Sequence, residues 1–119
     1  MNTEHFKQKL LAEKEQLLAN IRDLGGRQDP LTKDWDATPV AAPENEPDEV
    51  DAADRFEEYE EKTAEIDTFE KRLIDVNDAL AKIEAGVYGV CEISGDQIEI
   101  ERLEANPAAR TTIAHREEM

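Results

Sequence analysis

Apolar residues in the middle of the chain recur at intervals of three and four, and this periodicity constrains the fold more than any other feature. One step, from Ile66 to Phe69 to Leu73, departs from strict alternation and predicts a local shift in a coiled-coil-like seam. The pattern indicates one long helix over about 51–85, ended by Gly86. Its apolar stripe consists of Ala52, Phe56, Tyr59, Thr63, Ile66, Phe69, Leu73, Val76, Leu80 and Ile83.

A shorter stripe of the same kind lies near the start of the chain and predicts a helix over about 3–25. Gly25 and Gly26 follow its last apolar turn and tolerate the left-handed backbone that ends many helices. The members of this stripe are Phe6, Leu10, Leu17, Ile21 and Leu24, with Leu11 and Leu18 beside them.

The stretch 26–50 between the two stripes is rich in proline and acidic residues and has little apolar periodicity. We predict a long connector without regular structure, with Trp35 packed back onto the helices. Since neither amphipathic helix can bury its stripe alone, residues 1–85 should form an antiparallel two-helix coiled-coil hairpin. The fold class is mainly α.

Residues 86–119 have a different character and predict a small C-terminal subdomain. Val87–Cys91 and Ile98–Ile100 are short and rich in β-branched residues, and the turn residues Ser94, Gly95 and Asp96 separate them. We expect a β-hairpin there, then a short final helix capped by Thr111 or Thr112. Its core would comprise Val87, Val90, Ile93, Ile98, Ile100, Leu103 and Ile113.

The charge of the chain limits its partners. Of 119 residues, 30 are acidic and 14 basic, giving a net charge of −16 that repels nucleic-acid phosphates and anionic membrane surfaces. Residues 28–61 are the most acidic third and contain only two basic residues, Lys33 and Arg55. We therefore expect no sequence-specific nucleic-acid binding and no membrane association, and a cytoplasmic location, because neither a signal peptide nor a membrane span is present.

The spacing Cys91-x-x-Ser94, followed after an interval by Thr112-x-x-His115, has the layout of a four-ligand zinc finger. Hydroxyl groups are poor replacements for thiolates, so Cys91 and His115 alone would hold zinc weakly. We expect no bound cofactor and a small apolar core that contains both residues. Weak zinc binding is the alternative.

Two segments carry a resemblance to a known family. Ile83-Glu84-Ala85-Gly86-Val87-Tyr88-Gly89-Val90-Cys91-Glu92 and Arg102-Leu103-Glu104-Ala105-Asn106-Pro107 resemble the zinc-finger signature of the DksA/TraR family. The order of helix, acidic connector and long helix agrees as well, so the resemblance spans nearly the whole chain. It implies a regulator that inserts a coiled-coil hairpin into the secondary channel of RNA polymerase and acts there without reading DNA sequence.

The resemblance assigns the family's acidic tip to Asp51 and Asp54, with Arg55 and Phe56 beside them. Phe56 departs from the small alanine of well-studied members, which leaves the sign of any transcriptional effect open. From the residues alone, carboxylates near a helix start also serve as caps and favour the helix dipole. Arg55 can pair within its own helix or contact a partner.

Other functions fit the sequence less well. An enzyme would need a nucleophile with an oriented base, and Cys91 with His115 is the one conceivable pair, so we expect a non-enzymatic protein. The main rival is an acidic helical-hairpin adaptor that binds another basic protein surface. We expect a monomer.

Overall fold

The computed structural model describes residues 1–37 and 49–117, and of residues 49–51 only the backbone. The described part is mainly helical, with one small antiparallel sheet of two strands. In chain order the elements are α1 (Thr3–Asp23), β1 (Gly26–Gln28), β2 (Trp35–Ala37), α2 (Glu49–Ala85), α3 (Ile100–Ala105) and a 3-10 turn (Ile113–His115).

The chain divides into two compact units, and both long helices contribute to each. The first unit comprises Met1–Gln16 and the chain from Arg72 onward, and the second comprises Leu17–Lys71. No helix of the described residues is both long and apolar enough to cross a membrane.

The apolar stripe of α1 is buried as its spacing predicts. Phe6 and Leu10 are buried in the first unit, and Leu17 and Ile21 in the second. The helix ends at Asp23, slightly before the predicted limit. Gly25 follows with φ of 79° and donates its N–H to the carbonyl of Arg22, which satisfies one of the last free helix carbonyls.

The connector was predicted to lack regular structure, but its first part forms two short strands. β1 and β2 pair antiparallel, with Gly26 opposite Ala37 and Gln28 opposite Trp35. Gly26 also lies so close to α1 that a Cβ there would be 2.4 Å from Cγ2 of Ile21. The hairpin was missed because strands of three residues show no alternation, and because turn chemistry, described below, rather than apolar periodicity stabilises it. Residues 38–48 lie outside the described part.

Helix α2 covers the predicted range and starts slightly earlier, at Glu49. Ile66, Leu73 and Val76 of its stripe are buried, while Phe56 is 61% exposed, so the stripe leaves the core near the helix start. At the other end Gly86 has φ of 76°, and the N–H groups of Gly86 and Val87 bond the carbonyls of Ile83 and Lys82. This is the Schellman arrangement, and it confirms the predicted end of the helix.

Within the first unit, α1 and α2 run in opposite directions. Lys7 pairs with Glu84 at 3.4 Å, whereas Glu13, further along α1, accepts two hydrogen bonds from Arg72, which comes earlier in α2. The apolar residues Phe6, Leu10, Leu73 and Val76 are buried in the same unit.

The C-terminal segment differs from the predicted β-hairpin. Among the described residues, pairing there is limited to a single bridge between Val90 and Gln97, and Ile100 begins α3 instead of ending a strand. Of the seven predicted core residues only Ile98 and Leu103 are buried; the other five are 40–54% exposed. Tyr88, Cys91, Ala108, Thr111 and Thr112 are buried there instead. The short final helix reduces to the 3-10 turn, and Thr112 precedes it without a side-chain cap.

Candidate functional site

The predicted tip residues all lie within the first eight residues of α2. Since the helix begins at Glu49, Asp51 is its third residue and Asp54 its sixth. Asp54 is exposed and Arg55 is half-buried, while the side chain of Asp51 lies outside the described part. The helix start is also where carboxylates are favoured by the helix dipole, so stabilising the helix and meeting a partner are compatible roles.

Phe56 is an exposed aromatic ring within a field of negative charge. The residues that follow it, Glu57, Glu58, Glu60 and Glu61, are all exposed. Glu58 is paired with Lys62 one turn later at 3.0 Å, an exposed pair that neutralises little of this charge. An apolar anchor surrounded by carboxylates is suited to a protein surface that offers an apolar pocket among lysine and arginine side chains.

The finger-like subdomain brings three of the four predicted zinc-ligand positions together around one sulfur atom. The backbone N–H of Ser94 lies 3.5 Å from Sγ of Cys91, and Oγ1 of Thr112 lies 3.9 Å from the same atom. Cys91 and Thr112 are both buried. His115 follows one turn after Thr112, bonded to it through the backbone at 3.0 Å.

This environment favours the thiolate form of Cys91. Burial by itself raises the pKa of the thiol, but hydrogen bonds from the Ser94 side chain and from the backbone N–H groups of Ser94, Thr112 and Ile93 outweigh it and lower the pKa to about 6. These hydrogen bonds therefore favour the thiolate more than the surroundings of a free cysteine would.

These positions do not fit a structural zinc ion. A tetrahedral site needs four thiolate or imidazole donors, and two of the four here are neutral hydroxyl groups. No group of three or more histidine, cysteine, aspartate or glutamate side chains in the described ranges is arranged to hold a metal. The hydroxyl groups of Ser94 and Thr112 act as hydrogen-bonding neighbours of the sulfur.

A charged cluster that the sequence did not reveal ties this subdomain to α2. Arg110 bonds Asp75 at 2.9 Å, Asp78 at 2.5 Å and Glu92 at 3.0 Å, and Lys82 also pairs with Glu92. Burial alone raises the pKa of Glu92, but Lys82 and Arg110 together lower it, and the three carboxylates raise the pKa of Arg110. Asp75 and Asp78 are one turn apart beside the apolar stripe, but their spacing does not identify their partner.

Two further contacts fix the same subdomain within the first unit. Tyr88 donates its hydroxyl to the carbonyl of Pro107 at 2.8 Å, and burial together with the charge of Glu104 raises the pKa of Tyr88 to about 12. Glu104 in turn meets His5 and Lys9 of α1, each at 3.0 Å, and these hydrogen bonds lower the pKa of its carboxyl group. Hydrogen bonds and ion pairs thus connect the finger-like subdomain to α1 within the first unit.

These features define a class of mainly helical protein in which a long helix with an acidic start leads into a finger-like subdomain that contains one cysteine. No protein-family model matches the chain. Over 96% of its length it is 31% identical to the RNA polymerase-binding transcription factor DksA of Caulobacter vibrioides, of which it covers 72%. It is also 34% identical, over 91% of its length, to the uncharacterized protein YteA of Bacillus subtilis, of which it covers 45%.

The structure is similar to that of transcription factor DksA2 from Pseudomonas aeruginosa, with a TM-score of 0.69 and 26% sequence identity. The similarity covers 97% of this chain and 80% of the other. The chain belongs to the DksA/TraR family, as the segments around Cys91 and Leu103 indicated.

Proposed function

We propose that this protein regulates transcription by binding RNA polymerase. The observation that supports this proposal is the start of α2, where Asp54 and Phe56 are exposed among carboxylates. The sequence resemblance assigns the family's tip to these positions. Similarity over 96% of this chain and 72% of a DksA named as an RNA polymerase-binding transcription factor supports the assignment. The net charge of −16 favours a basic protein surface over a nucleic acid as the partner.

In the proposed mechanism, α1 and α2 form a coiled-coil hairpin that enters the secondary channel of the polymerase. Asp51 and Asp54 contact basic groups near the active centre, and Phe56 fills an apolar recess beside them. The protein catalyses no reaction and changes initiation by altering the stability of promoter complexes. It acts as a monomer in the cytoplasm and does not bind specific DNA sequences.

The finger-like subdomain serves this function as a metal-free support. Cys91 receives hydrogen bonds where relatives with a complete finger would bind zinc, and Arg110 provides a cross-link to α2 through Asp75 and Asp78. Metal analysis of protein purified without chelators tests this assignment. We expect far less than one zinc ion per chain, and stoichiometric zinc would contradict it.

Binding to core RNA polymerase, followed by promoter transcription in vitro, tests the main proposal. The informative variant is Asp51→Asn combined with Asp54→Asn. Its matched control is Glu65→Gln combined with Asp67→Asn, which removes the same charge from two exposed positions further along α2. We expect the wild type and the control to bind and to change transcription, and the tip variant to lose the transcriptional effect.

If the tip variant and its control lost binding and transcriptional effect to the same extent, the result would instead favour the acidic adaptor. The affinity of such an adaptor depends on total charge and not on particular carboxylates. Failure of the wild type to bind polymerase at physiological salt would exclude the proposed function.

A third variant, Phe56→Ala, tests the role of the ring. Since Phe56 is 61% exposed, the change should leave thermal stability unaltered while shifting the size of the transcriptional effect.

A further inference from the structure

The loop between β1 and β2 presents the most exposed large apolar side chain of the described residues. Leu31 is 92% exposed, compared with 61% for Phe56, the next in order. A single exposed leucine is common on protein surfaces and needs no explanation by itself. Its significance here depends on how the loop holds it and on where the loop lies.

Hydrogen bonds fix the conformation of this loop, which we call the knob (residues 29–34). Oδ1 of Asp29 accepts from the N–H of Leu31 at 2.8 Å and from that of Thr32 at 3.4 Å. The backbone of Asp29 bonds both Lys33 and Asp34, at 2.9 and 2.8 Å. Lys33 has a φ of 65°, unusual for a residue other than glycine. A side chain presented by a preformed loop loses little conformational entropy on binding.

The strand that follows the knob contacts α2 at a distance from the tip. The N–H of Trp35, in the strand that follows the knob, donates to Glu70 of α2 at 3.4 Å. Glu70 follows Asp54 by sixteen residues, or roughly 24 Å at 1.5 Å per residue. A partner that contacts both places must therefore present a surface that extends over roughly this distance.

The charges beside Leu31 indicate what kind of surface this is. A shallow depression next to it is lined by three carboxylates, those of Asp29, Asp34 and Asp36, and by one guanidinium group, that of Arg27. Its partner should offer an apolar pocket bordered by lysine or arginine. A second copy of this chain is disfavoured because each copy carries a net charge of −16, and an anionic membrane is disfavoured for the same reason.

We infer that the knob is a second contact for RNA polymerase, in which Leu31 fills an apolar pocket on the enzyme's surface outside the site of the tip. This inference rests on the proposed function and adds to it a contact from the β1–β2 hairpin. The tip would determine the effect on transcription, whereas the knob would supply affinity.

Affinity for core RNA polymerase, measured with Leu31→Ala, tests the inference. Full burial of a leucine side chain corresponds to roughly a tenfold to hundredfold change in Kd, so we expect binding at least tenfold weaker. Leu11→Ala is the control, because Leu11 is a partly exposed leucine in α1. Since Leu31 is 92% exposed, its variant should unfold at the same temperature as the wild type.

A second pair of variants separates the role of Asp29 in ordering the loop from the role of its negative charge. Asp29→Ala removes the acceptor that orders the loop, while Asp29→Asn removes the charge and keeps the Oδ1 acceptor. We expect the alanine variant to bind more weakly than the asparagine variant. A Leu31→Ala affinity within twofold of a wild type that binds polymerase would overturn the inference and leave the proposed function intact. A wild type that does not bind would overturn both.

Discussion

At the scale of single residues, Cys91 shows how hydrogen bonds can give a buried thiol a defined structural role. Its sulfur receives hydrogen bonds from Ser94, Thr112 and Ile93, and these lower the pKa of the thiol to about 6 despite its burial. Neutral hydroxyl and amide groups cannot replace a metal bond in strength, but they can stabilise an anion. The folded state therefore favours the thiolate relative to the unfolded state.

This difference predicts a pH-dependent contribution to stability. Because folding lowers the pKa of Cys91 from 9.0 to about 6, the stabilisation is complete above pH 9 and is lost as the pH falls through 6. In urea unfolding, the free-energy advantage of the wild type over Cys91→Ser should rise between pH 6 and pH 9. Comparing the wild type with the variant at each pH cancels the contributions that do not involve Cys91. A constant advantage across this range would show that the thiol stays protonated.

At the scale of elements, the end of α2 depends on the backbone of one glycine. Gly86 has a φ of 76°, and an added Cβ would meet nothing within 4 Å, so a substitution there changes backbone strain without a clash. Gly86→Ala should lower the free energy of unfolding by about 1–2 kcal/mol. Gly86→Asn should lower the free energy of unfolding by less than Gly86→Ala does, because asparagine adopts the left-handed backbone region more readily than alanine. Thermal unfolding checks both, and equal stability of all three proteins would contradict this role.

The attachment of the finger-like subdomain to α2 depends on the geometry of Arg110 as well as on its charge. Arg110→Ala leaves Asp75, Asp78 and Glu92 without the cation that they share. Because the aspartates are partly exposed, we expect a loss of about 1–2 kcal/mol in urea unfolding. Arg110→Lys keeps the charge but lacks the planar guanidinium group that bonds several carboxylates at once, so its stability should lie between those of the wild type and the alanine variant. A lysine variant as stable as the wild type would show that charge alone suffices.

The elements that the sequence predicted are those whose signals are local. Both long helices follow from apolar spacing, and Gly86 from its position after the second stripe. The β1–β2 hairpin was missed because its strands are short and the side chain of Asp29 orders its turn. The exposed Val87 and Ile93 were wrongly assigned to a core because β-branched residues indicate strand propensity and not burial. The partners of Arg110 depend on tertiary structure, which spacing does not reveal.

For the tip, the stripe includes Phe56, whose ring is 61% exposed, unlike Ile66 and Leu73 of the same stripe. Periodicity identifies which face of a helix is apolar, and not how far along the helix that face is covered. The signal that distinguishes Phe56 is its context, because carboxylates follow it at positions 57, 58, 60 and 61. Such a dense run of negative charge is costly to pack against a core.

At the scale of the whole molecule, the net charge opposes folding. With 30 acidic and 14 basic residues, repulsion among carboxylates destabilises any compact state, although ion pairs such as Arg72 with Glu13 act in the opposite sense. Added salt screens both effects. Exposed pairs contribute little individually, so repulsion should dominate the response to salt.

We therefore predict that salt stabilises this protein. Raising NaCl from about 0.01 M to about 0.15 M shortens the Debye length from about 30 Å to about 8 Å, and the unfolding temperature should increase over this range. In the triple variant Glu57→Gln, Glu60→Gln, Glu61→Gln, which removes three exposed negative charges from α2, the increase should be smaller. A control that neutralises paired Glu13, Glu84 and Glu104 should instead destabilise the protein at low salt, since each has a cationic partner. An unfolding temperature that falls as salt is added would show that the ion pairs outweigh the repulsion among carboxylates.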